Sequence, residues 1–148
     1  MAAALFRAQL AKRGETDRYR VESAGTWGVD GQPASRHALT VMRERGLSLQ
    51  DHTARTITAD MMREADLVFA MTRSHRDALA AEFPGARAKL HLTSEFCGLE
   101  YDISDPYGNS LDAYETCAAD LEQLLDRGYA RVAIWLEGAP HRTSHDSS

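Results

Sequence analysis

The stretch DLVFAM, residues 66–71, is an aspartate followed by an unbroken apolar run, the length of a strand buried on both faces of a parallel sheet. Its flanks carry helical punctuation. Upstream, TITADMMREA (56–65) reads as a short helix with Thr58 as its N-cap. Downstream, Thr72 or Ser74 can cap SHRDALAAEF (74–83), which Pro84 and Gly85 terminate. Further out, AKLHLTS (88–94) is a second strand with Leu90 and Leu92 on one side. RYRVESAG (18–25) alternates as a third, with Tyr19, Val21 and Ser23 on one face. PASRHALTVMRERG (33–46) is a helix capped by Ser35, striped by Ala38, Leu39 and Met42 and stopped by Gly46. Strands alternating with helices specify an α/β fold, a doubly wound parallel sheet covered on both faces.

At the C-terminal side, Ser110 caps a long helix in which Leu111, Tyr114, Ala118, Leu121 and Leu125 recur at helical spacing. Gly128 interrupts it weakly, and YARVAIWL (129–136) fits either a further strand or the last turns of the same helix. EGAPHRTSHDSS (137–148) is polar and aperiodic and reads as a disordered tail, so one domain is expected over 1–136. At the other end, MAAALFRAQLAKRG (1–14) is a strong helix with Leu5, Phe6 and Leu10 on one face and Gly14 behind it. It has no capping Ser, Thr, Asp or Asn and no strand to feed it, so the chain reads as cut at its start.

Composition narrows the function. A chain of 148 residues, 43% hydrophobic and 26% charged, is ordinary for a globular domain. A net charge of -5 gives no basic footprint for nucleic acid, and no apolar run reaches membrane-spanning length. Without a basic n-region and an apolar h-region, a cytoplasmic location is expected. Cys97 and Cys117 make no disulfide framework, and with His91 they lack zinc-ligand spacing, so both thiols are taken as structural.

Ligands of doubly wound sheets bind outside the carboxyl ends of the strands. The segments that fall there are SAGTW (23–27), MTRSH (71–75) and SDPYGN (104–109). In the last, Asp105 joins a carboxyl group to a rigid proline, an aromatic and a glycine, which suits a general acid held over a pocket; Asp-Pro followed by Gly is also ordinary turn chemistry. His52 is a base, a ligand or a structural hydrogen bonder. Ser23 ends a strand, where a turn role competes with function, and Trp27 either walls a pocket or plugs the core.

Taken together, VESAGTWG (21–28), DHTARTIT (51–58), ADLVFAM (65–71) and DPYGNSLDAYE (105–115), in this order and spacing, resemble the low-molecular-weight protein tyrosine phosphatase family over residues 1–136. The resemblance is nearest to the bacterial subgroup with one aromatic after Asp-Pro, which includes protein arginine phosphatases. It implies a flavodoxin-like sheet, with Asp105 as general acid and then base, and Tyr107 as the aromatic beside the substrate. It also implies that Ser23 and His52 hold the shape of the phosphate loop and that Trp27 lines the crevice. The expected substrate is a phosphorylated protein or a small phosphate ester, with no metal or cofactor.

Family members begin with a strand running into a phosphate loop of pattern Cys-x5-Arg. Here Met1 to Phe6 match only the segment behind that loop, with Ala3 in place of a glutamate, and the residues six positions after Cys97 and Cys117 are Ile103 and Gln123. The family reaction uses a thiolate, whose unperturbed pKa is about 8.5, to form a cysteinyl phosphate, while loop amides and arginine hold the phosphoryl oxygens. Losing such a nucleophile commonly costs on the order of 10⁴ to 10⁶ in rate, so no useful turnover is expected of these 148 residues. Lacking the central first strand, the sheet is expected to be destabilised, or to self-associate or swap segments through the gap. A start placed at an internal methionine explains the pattern; the alternatives are a non-catalytic binding or regulatory module and, ranked lower, an arsenate reductase.

Overall fold

A computed structural model of the chain describes residues 1–25, 34–49 and 55–138. In chain order the elements are α1 (Ala2–Lys12), α2 (Arg36–Glu44), α3 (Ala59–Glu64), β1 (Val68–Ala70), α4 (Arg73–Glu82), a 3-10 segment (Pro84–Lys89), β2 (Leu90–Leu92), a 3-10 turn (Thr93–Cys97) and α5 (Leu111–Gly138). The helix starts follow the caps. Ser35 Oγ accepts from the Ala38 N–H at 3.3 Å, Thr58 Oγ1 from Met61 at 3.1 Å and Ser110 Oγ from Ala113 at 3.3 Å. For α4 the cap is Thr72, whose Oγ1 accepts from the His75 N–H at 3.1 Å, rather than Ser74. No side chain caps α1.

DLVFAM supplies β1, which pairs in parallel with β2, placing Val68 opposite Leu90, Phe69 opposite His91 and Ala70 opposite Leu92. Alternation along the run sends its side chains to two faces. Leu67, Phe69 and Met71 pack on the main core of α1, α2 and α5, built from Leu5, Val41, Met42, Leu121 and Leu125, while Val68 packs on a smaller core of Met62, Leu79, Ala86 and Leu90. Helices thus cover both faces, the doubly wound α/β arrangement. Among the described residues the sheet is two strands wide, so Val68 and Phe69 stay partly exposed and only Ala70 is buried.

One expectation changes and one open segment is decided. Among the described residues RYRVESAG forms no strand; a parallel bridge joins Gly25 to Thr56, with Gly25 N–H donating to the Arg55 carbonyl at 2.7 Å. Arginine side chains serve this segment's carbonyls instead. Arg7 Nε donates to the Val21 carbonyl at 3.1 Å and Arg55 Nη2 to the Ser23 carbonyl at 3.3 Å. YARVAIWL is helix, the last part of α5, because the apolar period runs on through buried Tyr129 and Val132 to Trp135. Trp135 stacks on His91 at 4.7 Å between ring centroids and meets Phe96 edge-on at 5.4 Å.

Gly128 does not interrupt α5. It is where the helix seats on the Thr93–Cys97 turn: a Cβ there would stand 2.2 Å from the Phe96 carbonyl oxygen. The tail expected from residue 137 begins no earlier than the end of α5 at Gly138, and residues 139–148 lie outside the described chain. Among the described residues no helix is long and apolar enough to cross a membrane.

Candidate active site

β2 leads through the 3-10 turn into the loop 98–110, which returns across the carboxyl end of β1 and enters α5. The backbone there is tied to the strand, with the Ile103 N–H donating to the Met71 carbonyl at 2.9 Å. Pro106 is buried and anchors the loop, while Asp105 on one side and Tyr107 on the other stay exposed, Tyr107 at 76%. The Asp105 carboxylate accepts from the Tyr107 N–H at 3.0 Å, and the Asn109 N–H donates to the Pro106 carbonyl at 2.9 Å. Gly108 closes this turn at φ +80°, a conformation glycine takes without strain. The two sequence interpretations of Asp-Pro-Tyr-Gly therefore coincide: turn chemistry is what presents the carboxylate.

The head of α1 comes to the same place. The Met1 amine is partly buried, and burial lowers its pKa while the charges of Cys117 and Asp105 act in the opposite sense. No side chain caps α1, and the start of a helix carries the positive end of its dipole. Behind the loop, a groove of about 680 Å³ separates it from α5, with Tyr101, Ile103, Pro106, Thr116, Cys117 and Arg127 among its walls.

Cys117, the thiol beside this loop, lacks the setting of a nucleophile. Burial pushes the Cys117 thiol up from its ordinary value, with Asp105 adding to the rise and the Met1 amine opposing it, the reverse of what a reactive thiolate requires. Cys97 is exposed on the 3-10 turn, donating to the Ser94 carbonyl at 3.1 Å. Among the described residues no three His, Cys, Asp or Glu side chains group closely enough to hold a metal ion.

Of the residues singled out in the sequence, Asp105 and Tyr107 share one turn near the head of α1. Ser23 is exposed in the segment after α1, its carbonyl held by Arg55. Trp27 and His52 lie outside the described residues. Sequence reasoning missed the ties that fix the loop. Asp102 Oδ1 accepts from the Arg73 backbone N–H at 2.8 Å and from Arg73 Nε at 3.2 Å, and Glu100 pairs with Arg76 at 2.9 Å. The partners are 29 and 24 residues apart, a separation that no local pattern reports.

Comparison with known proteins places the chain in a family. The family model for low molecular weight phosphotyrosine protein phosphatase matches residues 1–133. The protein-arginine-phosphatase of Bacillus subtilis is 34% identical over 126 residues, covering 84% of this chain and 82% of its own. The crystal structure of the low molecular weight protein tyrosine phosphatase from T. tengcongensis superposes with a TM-score of 0.82 at 34% identity, covering 88% of each chain. A YwlE arginine phosphatase mutant with a phosphorylated active-site serine superposes with a TM-score of 0.83 at 33% identity, covering 90% of this chain and 86% of that one. The fold is the flavodoxin-like α/β fold of those phosphatases, and the chain belongs to the low molecular weight phosphotyrosine protein phosphatase family.

Proposed function

We propose that this chain serves hydrolysis of phosphorylated protein side chains through a phosphoenzyme, with Asp105 protonating the leaving atom and then acting as base toward water, and Tyr107 flanking the substrate. The observation that carries the reading is an exposed carboxylate held by its own turn on a loop that the Ile103 N–H ties to the Met71 carbonyl, at the carboxyl end of β1. Phosphoarginine is the first substrate to test, because a single aromatic, Tyr107, precedes Gly108 and an arginine phosphatase is among the relatives. Ser23, His52 and Trp27 are assigned the family roles of loop support and crevice wall.

Within the 148 residues there is no Cys-x5-Arg, and the one thiol near Asp105 is raised rather than activated. These residues by themselves are therefore proposed to present the acid loop without turning substrate over. Among the described residues the sheet is two strands wide with an open edge, and association with a second copy through it is part of the same proposal. The test grafts a strand and Cys-x5-Arg loop of the family pattern ahead of Met1 and measures p-nitrophenyl phosphate, phosphotyrosine and phosphoarginine hydrolysis. Turnover that depends on the graft and on Asp105 supports the enzymatic reading. No turnover by a folded graft supports the binding module.

A further inference from the structure

Resting on the assignment of Asp105 as the acid, we propose that Asp102 is a positioning residue that seats the acid loop on the first turn of α4. The hydrogen bond of the Asp105 carboxylate to the Tyr107 N–H lies inside its own turn, so it fixes the carboxylate within the loop and not against the body of the protein. That second task falls to the attachments on either side. On the C-terminal side Pro106 is buried. On the N-terminal side, three residues before Asp105, the Asp102 carboxylate takes two bonds from one residue, the Arg73 N–H at 2.8 Å and Arg73 Nε at 3.2 Å.

Arg73 is the first residue of α4, and its N–H is one of those a helix start leaves without an internal partner. Thr72 satisfies His75, two residues on, and Asp102 satisfies Arg73 from a different part of the chain, so α4 is capped partly by the loop it holds. A carboxylate is favoured at this end of a helix, and a bond between charged groups is the stronger kind. Ile103 adds its backbone bond to Met71, and Glu100 adds its ion pair with Arg76 one turn along α4. The loop is thereby stitched to the β1–α4 junction, and the position of Asp105 follows that junction. Consistently, the Asp102 carboxyl is held below the usual carboxylate range, chiefly by the Arg73 N–H.

The test is amide hydrogen exchange by NMR on the full chain, comparing wild type with Asp102→Ala and Asp102→Asn. In Asp102→Ala the Ile103 amide, which bonds across to Met71, should exchange on the order of tenfold faster, while α5 amides at Leu121 and Leu125 stay within about twofold of wild type. Asp102→Asn keeps an acceptor for the Arg73 N–H and should fall between the two. If Asp102→Ala does not fold, Asp102→Asn against wild type decides by the same comparison. Unchanged loop exchange overturns the proposal, and so does a uniform acceleration that includes α5, which would make Asp102 a contributor to global stability only. Because this readout is independent of turnover, it separates failure of the positioning role from failure of Asp105 as the acid.

Discussion

Replacing Gly128 with alanine should destabilise the protein, against the ordinary effect of that substitution in a helix. At a free helical position the change is favourable by about 1 kcal/mol, because alanine loses less backbone entropy. Here the added Cβ would lie 2.2 Å from the Phe96 oxygen, 2.6 Å from Phe96 Cβ and 2.7 Å from its carbonyl carbon. Two of those atoms are backbone, so no rotamer relieves the clash. α5 must back away from the turn, and the Phe96 ring contacts with Phe69 at 5.1 Å and Trp135 at 5.4 Å loosen with it. Overpacking of this kind costs about 1–3 kcal/mol. Taking about 3 kcal/mol for a clash against backbone and subtracting the gain of about 1 leaves about 2 kcal/mol of net loss. At about 2–4 °C per kcal/mol, the melting temperature should fall by about 4–8 °C. Circular dichroism melts and urea titrations of Gly128→Ala measure this, with Gly85→Ala as the control, since a Cβ at Gly85 meets nothing within 4 Å. A Gly128→Ala protein as stable as wild type, or more stable, would refute the seating of α5 on the Thr93–Cys97 turn.

The site yields two further outcomes. Because the folded pKa of Asp102 is depressed, its contribution to stability is present above the unfolded value, about 3.9, and is lost as pH falls through the lower folded one. The Arg73 amide shift should therefore titrate with a midpoint below that of a free aspartate, under the pull of the Arg73 amide and guanidinium and of Arg76; a midpoint at or above about 3.9 contradicts the contact. Iodoacetamide at neutral pH should label exposed Cys97 well before Cys117, whose thiol is half-buried and raised, and mass spectrometry that finds Cys117 modified first would contradict its placement beside the Asp105 loop.

Features whose cause is local were legible in the sequence. Ser35, Thr58 and Ser110 cap the helices they were expected to cap, and DLVFAM is the strand that organises the fold, because hydrogen bonds and periodicity within a few residues decide both. YARVAIWL stayed open between strand and helix, since a short apolar run fits either; what decides it is Trp135 against His91, 44 residues away in sequence. RYRVESAG alternates like a strand, yet among the described residues it makes no ladder, because pairing belongs to a neighbour and not to the segment itself. The same division runs through the site. Asp105 is marked by its proline, aromatic and glycine neighbours, whereas Asp102 looks like any loop carboxylate until the fold brings Arg73 to it.

We propose that the Asp105 loop of this chain becomes catalytic only when joined to a Cys-x5-Arg segment. Hydrolysis of p-nitrophenyl phosphate by the 148-residue chain, by the graft carrying that segment, and by the graft with Asp105→Asn tests it most directly. The expected result is no turnover above buffer for the first, measurable turnover for the second, and a loss of about 10² to 10⁴ for the third. Phosphatase turnover by the 148 residues alone, or a grafted enzyme indifferent to Asp105→Asn, would contradict it.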